Sequence, residues 1–470
     1  MFLLELPNWA HYFITMREAR RRYWELVGPL LIHYPKEMTR ERANAELLLW
    51  RRSMSFRKDK IANAATQVSF AAVDPLLDLC TSNSKVFQFG LDGTTTLLAP
   101  RVAKLVVVED DPAVCRRGAK ALQRRRVADR VSIRQVSPST IDAEQDAFPI
   151  DDPLSYKSFD APQGGLAYQE YARSIADHPD NAFDVVILGG RARASCFMLA
   201  VAKLRVGGTV VVFDAGHDAN RRIRDMAEEL GFTEHTYRGI KPGERAVTET
   251  TFLCKRRERY ALNDLDAKLE KYLDFRGGFF IEAGANNGVR QSNTLYFEAA
   301  RGWRGMLVEA IPELALDCRR YRPYAITEQV ALGSPDQIPG KVTLRFAGLM
   351  SLATGGALSD EEQLEHVRVG CEIQKIDTYE VDVDLSTLSA LLDKHGIAKV
   401  DLLSLDVEGF ERHVLLGLDF DRHAPRYVLI EEKGNGIGEF LSRHYDLIAQ
   451  LTHHDYLYRL KSGHAGSASD

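Results

Sequence analysis

Phe280–Glu298, "FIEAGANNGVRQSNTLYFE", is the stretch whose reading decides the fold. An apolar run ends at the carboxylate of Glu282. A turn holding Gly284, Asn286, Asn287 and Gly288 follows, and apolar residues then return at helical spacing. Strand, bare turn and helix open an α/β sheet, in which ligands bind outside the carboxyl ends of the strands. The glycines let backbone come close to a ligand, and the asparagines tolerate left-handed backbone and donate hydrogen bonds. The helix that follows offers N–H groups with no partner in its own first turn.

Working outward, the pattern repeats. Downstream, "GMLVEA", "AITEQVAL", "VDLLSLD" and "RYVLIEE" are short apolar runs, and "YDLIAQLTHHDYLYRL" reads as a closing hairpin. Upstream, residues 261–275 read as a connecting helix. Before it, "KVFQF", "KLVVVE", "RVSIRQV", "FDVVILGG" and "GGTVVVFD" alternate with helical stretches, and "FTEHTYR" and "TETTFLCKR" are further candidate strands. Such alternation makes a parallel sheet with helices on both faces. The architecture is therefore written twice, with the glycine turns at Gly90 and Gly284 lying 194 residues apart. The polar segment "DAEQDAFPIDDPLSYKSFDAPQGG", between the third and fourth strands, reads as a loop, either a lid or a surface excursion. The expected division is a helical extension over 1–58, α/β domains over 59–260 and 261–460, and a disordered tail over 461–470.

The carboxylate selects among ligands. Glu282 would repel a phosphate, and G-x-x-x-G is not the G-x-G-x-x-G of dinucleotide folds. A ligand with a cationic end suits Glu282 better, and S-adenosylmethionine carries an ammonium and a sulfonium. Glu309 closes the next strand, 27 residues after Glu282. An acid at that place can accept both hydroxyls of an adenosine ribose. The plainer alternative is that these acids only cap strand ends.

"FIEAGANNG", "GWRGMLVEAIPE" and above all "KVDLLSLDVEGFERHVLLGL", followed by "RYVLIEE", resemble the FkbM-type methyltransferases, a family of class I S-adenosylmethionine-dependent enzymes. The resemblance covers about residues 275–435 and includes the lead-in "VDVDLSTLSALLDKHGI". The family usually carries Asp at the position of Glu282. The resemblance implies methyl transfer, typically to oxygen on sugars or secondary metabolites. It implies a cofactor site at Glu282, Gly284, Asn286, Gly288 and Glu309, with Ala285 and Asn287 in the same turn. The fold expected is thus two tandem doubly wound Rossmann-like methyltransferase domains behind a helical extension.

The residues of the acidic block agree with this. Val400, Leu402, Leu403 and Leu405 make a buried strand, and Phe410, Val414, Leu415 and Leu418 share one helix face. Asp406 and Glu408 then sit at the strand's carboxyl end, beside the cofactor, and Glu431 ends the next strand. A carboxylate placed there could act as base toward a hydroxyl, worth about 10²–10⁴-fold, while in-line positioning supplies more. Alternatively Asp406, Glu408 and Glu431 hold Mg²⁺, or they merely cap strands. Glu411 and His413 read as a solvated helix face, and His453 and His454 as surface residues of the hairpin.

The first domain's turn is "FQFGLDGTTTL", with Gln88 where an acid is expected and Gly90, Asp92 and Gly93 retained. Glu109 ends the next strand at the ribose-accepting place, so Gly90 and Glu109 join the candidate cofactor residues. "LGGRARA", after the fourth strand, has no carboxylate to act as base. This domain generically resembles a methyltransferase fold. Three roles stay open for it: a second active transferase, a binder without catalysis, or a degenerate scaffold.

Bulk properties set the frame. The chain has 470 residues, 45% hydrophobic and 27% charged, with net charge −5, which describes a soluble, multi-domain globular protein and no general nucleic-acid binder. Residues 1–60 carry twelve Lys/Arg and seven Asp/Glu, a local +5 that leaves −10 for the rest. That arm can dock on the acidic remainder or touch phosphates. Six scattered cysteines without a CxxC pair indicate reduced thiols in a cytoplasmic protein, and no run of 18 apolar residues offers a membrane span. The function expected is S-adenosylmethionine-dependent methylation of a small-molecule or glycan hydroxyl by the second domain, with homo-oligomerisation left open. The alternatives are transfer to nitrogen or to a peptide, and a non-catalytic nucleotide-fold binding protein.

Overall fold

The computed structural model describes residues 8–54, 60–162, 164–256, 259–345, 352–353, 378–432 and 436–462. The chain forms two compact units, Met1–Arg257 and Glu258–Asp470.

The first unit begins with helices α1 (Asn8–His33) and α2 (Arg40–Met54). Thr39 accepts the Arg42 N–H, and Glu41 stands in the first turn, so both start signals of α2 are used. Tyr23, Val27, Leu30, Ala43 and Trp50 cluster with Ile240 of the sheet. The Trp50 indole donates to the Glu244 carbonyl at 2.6 Å, and Glu37 pairs with Arg238 at 3.0 Å. The N-terminal segment is held by apolar area, by Glu37 and by one of its own bases, Lys60, which pairs with Glu244 at 2.6 Å.

Its strands are β1 (Lys85–Phe89), β2 (Lys104–Glu109), β3 (Val131–Gln135), β4 (Phe183–Leu188), β5 (Leu204–Val212), β6 (Phe232–Ile240) and β7 (Val247–Lys255). They lie in the order β3-β2-β1-β4-β5-β7-β6, parallel from β3 to β5, with β7 antiparallel to both neighbours. The excursion before β4 is more than a loop. Ser139–Thr140 pairs with Leu166–Ala167, Ala143–Ala147 is helical, and Asp152, Ser155 and Tyr156 are buried. Sequence patterning missed this because its buried residues follow no strand or helix period.

The second unit repeats the plan. Its strands are β8 (Phe279–Ala283), β9 (Arg304–Val308), β10 (Ile326–Glu328), β11 (Lys341–Arg345), β12 (Glu380–Ser386), β13 (Leu402–Leu405), β14 (Tyr427–Glu431), β15 (Tyr445–Gln450) and β16 (Asp455–Leu460). Seven of them form a sheet in the order β10-β9-β8-β13-β14-β16-β15, the same winding as the first unit. The connecting helix expected over 261–275 shrinks to Leu265–Glu270, because left-handed Asn263 and Asp264 break it at the start. "AITEQVAL" splits: β10 joins the main sheet, while Ala331–Leu332 pairs with β12, which is also antiparallel to β11. This small second sheet was not anticipated. Leu344 and Val383 pack with Ile311 behind it.

The tail beyond residue 462 and Cys371 lie outside the described residues; the other five cysteines are free thiols. Among the described residues, no helix is long and apolar enough to cross a membrane.

Candidate active site

β8 lies between β9 and β13 at the centre of the second sheet, so its carboxyl end opens into the crevice of the fold. Gly284 follows at φ +79°, and a Cβ there would stand 1.8 Å from the Asp406 carbonyl oxygen, which leaves room for glycine alone. The Gly284 and Ala285 N–H groups donate to the Val308 carbonyl at 3.0 and 3.2 Å. The Asn286 N–H donates to one Glu309 oxygen at 2.7 Å and the Ile311 N–H to the other at 2.9 Å. Glu309 thus ties the turn to the tip of β9. Burial pushes its carboxyl up to about 7, against the pull of these N–H groups. Ala310 adds a third backbone N–H, which leaves one of the carboxylate's four lone-pair sites for a hydroxyl donor.

Glu282 is placed differently from the expectation. It borders the cavity, but its cation is supplied from within the unit: Arg322 donates to it at 2.9 Å, and Ser292, Thr294 and the Asn293 N–H donate at 2.7–2.8 Å. Arg322 is fully buried and also bonds Glu298 at 2.8 Å. Burial works against its charge, but Glu298 and Glu282 outweigh that and raise its pKa. Removing one member of such a buried set costs about 3–5 kcal/mol. Glu282 therefore anchors the turn, and its carboxylate is largely spent before any ligand arrives.

The asparagine side chains also act as acceptors. Asn287 caps Val289 and Arg290 through its side-chain oxygen at 3.0 and 2.8 Å, and the Asn286 side-chain oxygen takes the Asn287 N–H at 2.8 Å. Gly288, at φ +79°, packs toward Arg322 and Cys318, and neither it nor Asn287 lines the cavity. The helix α3 (Leu295–Arg301) starts only after the N–H groups of Asn293, Thr294 and Leu295 have gone to Glu282 and Ser292. No bare helix end faces the ligand there.

Above the turn is a cavity of about 220 Å³. Its floor is Gly284, Ala285 and Asn286. Its polar lining includes Arg290, Asn293, Glu309, Ser404, Asp406, Glu408 and His454, and its apolar lining Ile311, Leu314, Val330, Leu344, Leu385 and Phe410. The small β11–β12 sheet supplies part of the apolar lining.

Asp406 is exposed, and its N–H is held by the Ala283 carbonyl at 3.1 Å. Glu408 and Gly409 follow at φ +49° and +96°. Glu411, expected on a solvated face, is buried, and its carboxylate accepts the Val407 and Gly409 N–H groups at 3.3 and 3.0 Å. It fixes the backbone that carries the two acids. Glu431 does not line the cavity. His454, read as a surface residue, does, and its Nε2 lies 3.7 Å from Glu431 and 3.4 Å from Asp455. Among the described residues no three acidic, His or Cys side chains converge as metal ligands, so the Mg²⁺ reading has no ligand set there.

In the first unit, Glu109 repeats the role of Glu309: it accepts the Leu91 N–H at 2.8 Å and the Asp110 and Asp111 N–H groups at 3.0 Å, and burial pushes it to about 7. Gly90 has φ +87° and donates to Val108. Gln88 bonds Gly90, Asp92 and Thr95 instead of acting as an acid.

The second crevice is amphipathic in the sense an adenosyl amino acid requires. Acids and aliphatic side chains both line it, with Arg290 among them. The chain belongs to the class of S-adenosylmethionine-dependent methyltransferases. Within that class, residues 282–459 carry the methyltransferase FkbM domain, whose family model they match.

No curated protein matches the chain. Among solved structures, the O-methyltransferase TomG from Streptomyces achromogenes, in complex with SAM, shares 16% identity, covering 47% of this chain and all of its own (100%), with TM-score 0.32. An O-methyltransferase from Bacillus cereus, in complex with SAH, shares 13% over 44% of this chain and 90% of its own, with TM-score 0.31. Cofactor-bound Rv0187 from MTB shares 19% over the same shares of each chain, with TM-score 0.30. Scores at this level locate no residue of the site.

Proposed function

We propose that the Glu258–Asp470 unit transfers a methyl group from S-adenosylmethionine to a hydroxyl oxygen of a small molecule or sugar. The observation that carries this reading is the pair Asp406 and Glu408, at the open end of β13 in the polar lining of the cavity. The cofactor supplies an electrophilic methyl group on sulfur. Glu309 would hold the ribose hydroxyls, and Gly284–Asn286, Ile311, Leu314 and Val330 would line the rest of the cofactor's place. Asp406, exposed toward the acceptor, takes the hydroxyl proton as the oxygen gains its methyl group, a contribution of about 10²–10⁴-fold. Glu408 steers the acceptor or shares that proton. A neutral amine needs no such base, so the two acids favour oxygen over nitrogen. The backbone held by Glu411 keeps the carboxylates in place, which is where positioning enters the rate.

The test is turnover of Asp406→Asn and Glu408→Gln, followed as S-adenosylhomocysteine release with a panel of hydroxyl acceptors. The expected result is a fall of about 10²-fold or more for Asp406→Asn, with affinity for S-adenosylhomocysteine unchanged within about twofold. Weakened affinity at unchanged turnover would remove the base role.

A further inference from the structure

We propose that the crevice of the Met1–Arg257 unit is filled by the chain's own side chains and takes no adenosyl cofactor, so that each chain holds one cofactor, in the second unit. The last clause rests on the function proposed above; the first does not.

Three backbone bonds align the two crevices, with the turn after the glycine one residue longer in the second. Gly90 and Gly284 donate to Val108 and Val308 at 2.8 and 3.0 Å. Leu91 and Asn286 donate to Glu109 and Glu309 at 2.8 and 2.7 Å. Gly189 and Asp406 donate to Phe89 and Ala283 at 3.0 and 3.1 Å. Counting on from these, Asp110 stands where the second unit has Ala310, and Arg191 where it has Glu408. Ala310 and Glu408 both line the 220 Å³ cavity of the second unit. In the first, the same two positions are tied together. Arg191 Nε lies 3.2 Å from both Asp110 oxygens, and its guanidinium also pairs with Asp160 at 3.2 Å.

The space beneath is filled as well. Tyr171 is fully buried, its hydroxyl reaches the Val108 carbonyl at 3.4 Å, and a Cβ on Gly190 would stand 2.1 Å from that hydroxyl. Beside it, Arg193 lies over the Phe159 ring at 4.9 Å, with Asp160 and Asp214 at 3.8 and 3.7 Å. Phe159, Asp160 and Tyr171 all come from the segment between β3 and β4, which closes this crevice with its own residues.

Acids at strand tips draw in a cation, and here the cation is on the chain. A tethered guanidinium is present at high effective concentration and pays no cost for leaving solution, so a free sulfonium ligand competes poorly. With Gly189 at the place of Asp406, the unit also lacks the base it would need. The fold is kept while the site is not.

Titration calorimetry of the full chain with S-adenosylhomocysteine tests this. One equivalent is expected, lost in Glu309→Ala and retained within about twofold in Glu109→Ala. Two equivalents overturn the inference while leaving the proposed function standing; binding that survives Glu309→Ala overturns the inference and also removes Glu309 from the ribose. No binding at all fits a closed first crevice but sinks the proposed function. Because either variant could misfold, photolabelling of the unaltered chain with radiolabelled S-adenosylmethionine gives a second arm. Label confined to peptides within 279–311 and 402–411 supports the inference; label within 85–112 overturns it.

Discussion

Glu309 has two demands on its proton that oppose each other. Burial raises its carboxyl from 4.5 to about 7 in the folded chain, so its contribution to stability is fully present below 4.5 and is lost as pH rises through about 7. Accepting ribose hydroxyls requires the ionised form. Affinity for S-adenosylhomocysteine should therefore rise about tenfold from about pH 6 to about pH 8, as the carboxyl ionises. Glu309→Gln should bind more weakly and lose the slope; calorimetry across that range checks both, and a flat wild-type profile would remove Glu309 from the ribose. The place of this residue was legible from the spacing of Glu282 and Glu309 at successive strand tips. The occupation of Glu282 was not, because Arg322 lies 40 residues downstream with nothing in "RRYRPY" to mark one arginine as buried.

At the scale of elements, the β13 loop shows what periodicity can and cannot reveal. Apolar alternation located the strand, and "DVEGFE" located the acids. The buried position of Glu411 was hidden, since a carboxylate after a glycine turn also suits an exposed first helical turn. Glu411→Ala strips two backbone N–H groups of an acceptor, each worth about 1–3 kcal/mol if left buried, and frees a loop that holds Glu408 at positive φ. Turnover should fall about tenfold or more at nearly unchanged S-adenosylhomocysteine affinity, a loss of positioning. Glu411→Gln, which keeps an acceptor oxygen, should recover most of it. Equal loss in both variants would point to charge and not to loop geometry. The β11–β12 sheet escaped for a different reason: its strands pair across a gap of more than thirty residues, and each alone is a short alternating run.

At the scale of the whole molecule, the repeat of strand runs and glycine turns announced two doubly wound sheets, and both have seven strands in the same winding. What the repeat could not announce was their divergence. The substitutions that separate the units, Gly189 for Asp406 and Asp110 for Ala310, are single residues on a shared strand frame. Their effect depends on side chains delivered by the segment between β3 and β4. The basic surplus of the extension was likewise visible, while its manner of docking, through Trp50, Glu37 and an apolar cluster, depended on contacts far apart in sequence.

The central claim is that Glu309 and Asp406, at the tips of the two strands flanking β8, receive a cationic, ribose-bearing cofactor. A crystal structure of the full chain grown with S-adenosylhomocysteine tests it most directly. The account predicts ligand density over Gly284–Asn286, ribose hydroxyls on Glu309 and the sulfur toward Asp406. A ligand bound elsewhere with that crevice empty, or NAD taken up there in preference, would contradict it.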